Sequence, residues 1–214
     1  MCFGDSNTQG CNLDGPWYGW NERWSSRLQY LLGFAEYRII EEGLGSRETI
    51  FVDPFNPLTQ GIEGLNMALG TQYPLDMIIL SLGLNDSKKT FNVNAKGIVE
   101  GYEILINQIR SHSILHHYPF PQIFILSPPL LGNPRLFSCP AYDSDSNKKV
   151  EELIPLLKQY ADNHHYLFFP ISSVATVGSD QYHLTAEGHQ AVASAIAPLI
   201  KEALQCKEVK IPRR

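Results

Sequence analysis

The chain has 214 residues, of which 43% are hydrophobic and 18% charged, and its formal net charge is -5. This profile fits one sizeable domain, residues 1–214, that buries its own core. Lys and Arg form no stripe outside the basic tail at residues 207–214, which we interpret as a solvated terminus, so we expect no nucleic-acid binding. No apolar run approaches the roughly 18 residues that a membrane span requires.

Short apolar runs alternate with helical periodicities, which is typical of a parallel sheet with crossover helices. In chain order, the sequence predicts a short strand at residues 1–3 and longer strands at residues 37–41, 77–82, 122–127 and 166–170. A central strand of three residues would forfeit ladder hydrogen bonds on both sides. Either the chain starts at Met1 or the natural chain begins earlier.

Helical periodicity covers residues 98–109 and 192–200, and residues 148–163 are also helical in pattern. We expect Thr185 to cap the last helix through its hydroxyl and Pro198 to kink that helix near its end. Pro155 is expected to end or kink its helix unless it lies in the first turn. The proline-containing segments 53–60 and 128–147 are predicted loops. In such sheets ligands bind beyond the carboxyl ends of the strands, so chemistry is expected in the loops there.

The four cysteines are Cys2, Cys11, Cys139 and Cys206, and they show neither a C-x-x-C pair nor a metal-ligand spacing. Free thiols are the simpler interpretation, although Cys2 and Cys11 are close enough in sequence to form a disulfide. No signal segment opens the chain, so we expect a cytoplasmic protein.

Two motifs suggest nucleophilic catalysis. Gly4-Asp5-Ser6-Asn7-Thr8 follows the first strand, where a turn into a helix would expose a serine hydroxyl and its backbone N–H. The same residues are also an ordinary turn composition. Near the other end of the chain, Asp180 precedes His183 by three residues, a spacing that lets a carboxylate reach the imidazole Nδ1–H.

Two further motifs follow predicted strands. Gly83-Leu84-Asn85-Asp86 comes directly after the strand at residues 77–82, where an asparagine amide is a rigid donor aimed at the crevice. The segment 41–49 contains Gly43 and Gly45, which would let backbone approach a ligand closely. Each motif alone is also compatible with a plain turn.

Together and in this order, the four motifs resemble blocks I, II, III and V of the SGNH (GDSL-type) hydrolases, in particular the arylesterase/acyltransferase (perhydrolase-like) branch. Cys2-Phe-Gly-Asp-Ser-Asn-Thr8, Ser127-Pro-Pro129 and His183-Leu-Thr-Ala-Glu-Gly188 strengthen the resemblance, which spans about residues 2 to 200. It implies an α/β fold, a flavodoxin-like three-layer α/β/α sandwich with a parallel sheet of about five strands.

The resemblance also implies roles for individual residues. Ser6 would be the nucleophile, His183 the general base and then acid, and Asp180 the residue that orients His183. The oxyanion hole would combine the backbone N–H of Ser6, a backbone N–H from Gly45 or Ser46, and the amide of Asn85. The loops that support this site would contain Asp5, Gly43, Gly45 and Gly83. Ser46 and Leu84 depart from the family pattern, and Leu84 predicts a more apolar pocket beside Asn85.

The function implied is a serine esterase that hydrolyses or transfers short acyl groups of small-molecule, aryl or sugar esters, with no metal or organic cofactor. The alternative is a non-catalytic, flavodoxin-like ligand-binding domain, although no G-x-G-x-x-G or phosphate-binding lysine motif is present.

Other residues have more than one interpretation. The aromatic segment 15–24 would line an acyl pocket or form core or subunit interface. The resemblance to the arylesterase/acyltransferase branch implies a homo-oligomer. The remaining histidines are predicted to be solvated rather than metal-binding, with His189 either supporting the site or on the surface. These histidines are His112, His116, His117, His164, His165 and His189.

Overall fold

The computed structural model describes residues 1–208, and the side chains of residues 1–205. The side chains of Cys206 and of the basic tail at residues 207–214 therefore lie outside the described residues. Within residues 1–208, no helix combines the length and apolarity that a bilayer span requires.

Five parallel strands form one sheet in the order β2-β1-β3-β4-β5. The strands are β1 (Cys2–Gly4), β2 (Glu41–Gly43), β3 (Met77–Ser81), β4 (Gln122–Leu126) and β5 (Leu167–Phe169). This order is that of flavodoxin-like folds, so the predicted fold class is confirmed.

The short first strand is bonded on both sides despite its length. Cys2 pairs with Glu41 of β2 and with Ile79 of β3. The Cys2 N–H donates to the carbonyl of Ile40, and the carbonyl of Met1 accepts from the Ile79 N–H, both at 2.8 Å. The backbone flanking β1 therefore extends both ladders by one residue.

The second strand lies later than predicted, at residues 41–43 rather than 37–41. The reason is that the side chain of Gln29 forms hydrogen bonds with backbone groups that a neighbouring strand would otherwise pair with. Gln29 donates to the Tyr37 carbonyl and accepts from the Ile39 N–H, both at 2.8 Å. Because these backbone groups are already bonded, regular pairing starts only at Glu41.

Helices cover both faces of the sheet. They are α1 (Ser6–Gln9), α2 (Trp24–Leu32), α3 (Gly61–Gln72), α4 (Ala95–Leu115), α5 (Ser144–His164) and α6 (Ala186–Glu208). Apolar side chains of α3, α4 and α5 share one buried cluster with the sheet, and those of α2 and α6 share another. Two cores separated by a sheet define the three layers.

Caps determine where the last two long helices begin. Asp143 Oδ1 accepts from the backbone N–H of Ser146 at 3.0 Å, so α5 starts at Ser144, inside the segment predicted as a loop. Thr185 Oγ1 accepts from the N–H of Gly188 at 3.1 Å and caps α6 as predicted. Pro155 and Pro198 both lie within helices.

Candidate active site

The predicted site residues follow four different strands, β1, β2, β3 and β5, and lie at the carboxyl edge of the sheet. Ser6 begins α1 directly after β1, and Asn85 begins a 3-10 turn after β3. Asp180 and His183 lie in the loop between β5 and α6. Because β1 and β3 are neighbours, these residues lie at the point where the strand order reverses, which is where ligands bind in such sheets.

Asp5 caps the helix that carries Ser6. Its Oδ1 accepts from the Asn7 N–H at 2.9 Å, and burial raises the pKa of Asp5 to about 6. As the first residue of α1, Ser6 has a backbone N–H with no carbonyl partner inside the helix. Gly43 allows the end of β2 to approach this helix, because a Cβ there would collide with the backbone of Gln9.

Ser6, His183 and Asp180 form one line of hydrogen bonds. His183 Nε2 lies 2.8 Å from Ser6 Oγ, and Nδ1 lies 2.8 Å from Asp180 Oδ2. Since a carboxylate can only accept, it holds the proton of the neutral imidazole on Nδ1 and leaves Nε2 free to accept from the serine hydroxyl. The three side chains are thus arranged for proton transfer from Ser6 to His183.

Asp180 keeps its charge although it is buried. Burial opposes ionisation, but hydrogen bonds from the His183 ring and from the backbone N–H groups of Tyr182 and His183 hold the pKa of Asp180 below its ordinary value. Burial would by itself lower the pKa of His183. The hydrogen bond to Asp180, the neighbouring Cys11 thiol and the Asp180 charge outweigh burial and raise that pKa to about 9.

Asn7 fastens the loop of His183 to the helix of Ser6, a role that the sequence analysis missed. Its Nδ2 donates to the carbonyl of Tyr182 at 3.2 Å, and its Oδ1 accepts from the N–H of Leu184 at 2.8 Å. Tyr182 and Leu184 flank His183, and Asn7 is adjacent to Ser6. One buried amide therefore sets the position of the imidazole relative to the hydroxyl.

The loop after β2 presents one uncommitted N–H. The Gly45 N–H donates to Gln9 Oε1 at 2.6 Å, whereas the Ser46 N–H donates to no acceptor among the described residues. Ser46 adopts φ 64°, a left-handed conformation that favours glycine. A glycine would adopt this backbone angle without strain.

Asn85 is held from two sides. Its Nδ2 donates to the carbonyl of Arg47 at 3.2 Å, and its Oδ1 accepts from the hydroxyl of Tyr142 at 3.0 Å. One N–H of the amide is left over. The turn before Asn85 depends on Gly83, whose φ of 96° is strained for other residues.

Leu84 does not line an open pocket as predicted. It is 1% exposed and packs in a small buried cluster with Leu131, Tyr142, Val150 and Tyr182. Leu84 therefore packs beneath the residues around Asn85, and it offers a substrate no exposed apolar surface.

Comparison with known proteins identifies the family of the chain. The model of the GDSL-like lipase/acylhydrolase family matches residues 2–191. The chain belongs to this family. Its fold, its motif order and its similarity to esterases make it a carboxylic ester hydrolase of the SGNH type. No curated protein matches the sequence.

Solved structures give the same picture. The chain is 31% identical to the M. smegmatis aryl esterase, with a TM-score of 0.85 over 94% of this chain and 97% of that one. It is 32% identical to Est24, a carbohydrate acetylesterase from Sinorhizobium meliloti, with a TM-score of 0.86 and the same coverage. A lipolytic protein of the G-D-S-L family from Veillonella parvula, 15% identical at a TM-score of 0.68 over 94% of this chain and 96% of that one, shows a likeness of fold alone.

Charged groups are buried beneath the loops that follow β1, β2 and β3. The guanidinium of Arg47 donates to the carbonyls of Gly4 and Glu42 and lies 4.2 Å from the centre of the Phe3 ring. Burial lowers the pKa of Arg47 to about 10. This side chain ties the loop after β2 to the end of β1.

Two carboxyl groups are fully buried close by. Asp86 Oδ1 accepts from the Thr49 N–H at 2.9 Å, and burial raises the pKa of Asp86. Burial also raises the pKa of Glu48 to about 7, because the opposing hydrogen bonds from its own backbone and from Thr59 offset the cost of burial only in part. Both carboxyl groups next to the site therefore hold a proton at higher pH than an exposed carboxyl group does.

The histidines divide into two groups. His116, His117, His164 and His165 are exposed and His112 is half-buried, so four of the predictions of solvation are confirmed. His189 is fully buried, so the surface alternative for it was wrong. Its Nδ1 accepts from the N–H of Trp24 at 3.2 Å, and burial lowers its pKa to about 3, so it stays neutral.

The aromatic segment is split between core and surface. Trp24 is completely buried between α2 and α6, whereas Trp17 is 52% and Trp20 46% exposed. Trp20 packs at a tilt against Tyr30, at 5.0 Å between ring centres, and against Phe34. Cys2, Cys11 and Cys139 are free, so the alternative of a Cys2–Cys11 disulfide is wrong.

Proposed function

We propose that this protein is a serine esterase that takes short acyl groups from small-molecule, aryl or sugar esters through an acyl-enzyme on Ser6. The observation that carries the proposal is the continuous hydrogen-bonded line from Ser6 through His183 to Asp180. Ser6 and His183 are 177 residues apart in sequence, so chance local structure does not explain their contact.

In the proposed acylation step, Ser6 Oγ attacks the ester carbonyl carbon while its proton passes to His183 Nε2. The carboxylate of Asp180 stabilises the resulting imidazolium. When the tetrahedral intermediate collapses, the carbon–oxygen bond to the leaving group breaks, and the alcohol or phenol departs with the proton from His183. The acyl group stays on Ser6.

Deacylation repeats the same steps with an acceptor in place of the serine. His183 removes a proton from water or from another acceptor hydroxyl, which attacks the acyl carbon. The second intermediate collapses with cleavage of the Ser6 ester, and the imidazolium returns the proton to Ser6 Oγ. An acid is released with water, and a new ester with an alcohol.

Three donors are proposed for the oxyanion in both steps: the backbone N–H groups of Ser6 and Ser46 and the free Nδ2–H of Asn85. We assign Ser46 rather than Gly45, because the Gly45 N–H is already bonded to Gln9. Removal of one such donor costs a factor of about 10²–10³ in kcat in a well-studied hydrolase, so Asn85→Ala is expected to show a loss of this size.

The preference for short acyl groups is supported by how little of the site reaches solvent. Ser6 is 8% exposed, Asn85 4% and His183 6%. Turnover of p-nitrophenyl esters from acetate to decanoate tests this preference, and faster turnover of the long chains would reject it. Because the similar structures are an aryl esterase and a carbohydrate acetylesterase, phenyl acetate and acetylated sugars are the first substrates to compare.

Labelling with a serine-directed organophosphonate tests the enzyme against the ligand-binding alternative. We expect one label per chain, lost in Ser6→Ala and kept in Ser111→Ala, which changes an exposed serine on α4. A folded protein that takes no label, or keeps it without Ser6, contradicts the proposed nucleophile.

We also propose that the esterase forms a homo-oligomer in the cytoplasm. The support for self-association is the exposed aromatic cluster of Trp20, Tyr30 and Phe34, because monomers rarely leave such rings in water. Light scattering after size exclusion tests it: Trp20→Ser should lower the mass of the wild-type assembly, and a monomeric wild type would contradict it. The cytoplasmic location stays a prediction, and the free thiols of Cys2, Cys11 and Cys139 support it.

A further inference from the structure

A buried tyrosine lies against the amide that faces the proposed oxyanion. Tyr142 follows the long loop after β4, directly before the α5 cap, and is 6% exposed. Its hydroxyl donates to Asn85 Oδ1 at 3.0 Å, across 57 residues of sequence. None of the four family motifs contains this residue.

The two contacts of Asn85 act on opposite ends of its amide. The carbonyl of Arg47 can only accept, so it faces Nδ2, and the hydroxyl of Tyr142 donates to Oδ1. With both ends fixed, the second Nδ2–H has one direction open to it. A donor to Oδ1 also polarises the amide, which strengthens the remaining N–H as a donor.

The tyrosine is itself rigidly placed. Its ring packs against Tyr182 with 5.2 Å between ring centres, and Tyr182 packs against His183 at 4.6 Å. Phe137 also packs against the Tyr142 ring, with 6.0 Å between ring centres. The packed rings of Tyr142 and Tyr182 therefore contact both Asn85 and His183.

From these contacts we infer that Tyr142 is a positioning residue that aligns and polarises the Asn85 amide for the oxyanion. The inference rests on the proposed function. Burial, followed by the charge of Asp5, raises the pKa of Tyr142 well above its ordinary value. The hydroxyl therefore remains a donor throughout the working pH range.

Tyr142→Phe tests the inference, because it removes the hydroxyl and keeps the ring. Loss of one aligned hydrogen bond predicts a fall in kcat of about 5- to 30-fold on p-nitrophenyl acetate, with KM changed by less than about twofold. Tyr118→Phe is the matched control: it removes a hydroxyl that bonds to the side chain of His112, away from the site, and should leave kcat unchanged.

A double-mutant cycle separates positioning from general stability. If Tyr142 acts through Asn85, adding Tyr142→Phe to Asn85→Ala should reduce kcat by less than about twofold further. An equal loss in both backgrounds, or wild-type kcat in Tyr142→Phe, overturns the inference. If Tyr142→Phe does not fold at the assay temperature, Tyr142→Leu, which has no donor and is smaller than the ring, undergoes the same comparison.

The outcomes are distinguishable from failure of the proposed function. If Ser6→Ala and Asn85→Ala lose activity while Tyr142→Phe retains it, the esterase proposal survives and this inference fails. If Ser6→Ala retains activity, the proposed function itself fails.

Discussion

The amide of Asn7 offers the sharpest test of how this site is assembled. In Asn7→Ala, the carbonyl of Tyr182 and the N–H of Leu184 lose their buried partners. Each orphaned group costs about 1–3 kcal/mol, so the loop would have to absorb about 2–6 kcal/mol or move. Movement relieves the cost, but it displaces His183 from Ser6.

A misplacement of about 1 Å at a reacting group is enough to lower a rate by about 10²-fold. We therefore expect kcat/KM on p-nitrophenyl acetate to fall by about 10²–10³, equivalent to roughly 3–4 kcal/mol in the transition state. Thermal unfolding measured on the same samples shows whether the variant is still folded at the assay temperature. Labelling by the organophosphonate should slow in parallel, because it needs the same contact between Ser6 and His183.

Asn12→Ala is a matched control. The Asn12 side chain also makes two hydrogen bonds to backbone, to the carbonyl of Pro16 and from the N–H of Asp14, but in an exposed loop. It should leave kcat/KM within about threefold of wild type. A folded Asn7→Ala with equally small loss would refute the view that this amide aligns the imidazole.

Three further predictions concern protonation and packing. Because His183 must be neutral to act as a base, kcat/KM should rise with pH up to about 9, and a profile flat from pH 6 upward would contradict this. Asp180→Asn should lower kcat by about 10⁴ and shift the rise of kcat/KM to lower pH. A rise at unchanged pH would show that a group other than His183 causes it. Glu48→Gln should raise the free energy of unfolding by about 2–3 kcal/mol more at pH 8 than at pH 5, as urea titrations at both values can show, and equal changes would exclude a buried ionisation.

The sheet was largely predictable because its central strands are short apolar runs with clear ends. β3 ends two residues before Gly83, and β4 ends two residues before Pro128. By contrast, α3 was not predicted, since Gly61, Gly64 and Gly70 weaken its helical pattern. Its stability comes instead from tertiary packing against α4, which a local pattern does not contain.

The same distinction applies to the site. The residues Ser6, Asn85 and His183 belong to short motifs, so their types and order were readable. The groups that hold them were not, because their bonds join distant parts of the chain. Asn7 reaches across 175 residues to Tyr182, and Tyr142 across 57 to Asn85. Asn7 did stand beside the nucleophile in the motif, but a residue type alone does not reveal its partner.

The buried ionisable groups place catalysis and stability in opposition. His183 has a folded pKa of about 9 against an ordinary 6.5, so its stabilising contribution is complete below about pH 6.5 and is lost as the pH rises through 9. Asp5 and Glu48 have folded pKa values of about 6 and 7, above their ordinary values, so ionising them also costs stability as the pH rises. The losses from Asp5 and Glu48 are complete by about pH 6 and 7, so His183 dominates the loss of stability over the range in which its neutral form becomes available. The site therefore gains its base at the expense of the fold, and between pH 6.5 and 9 activity should rise while the free energy of unfolding falls.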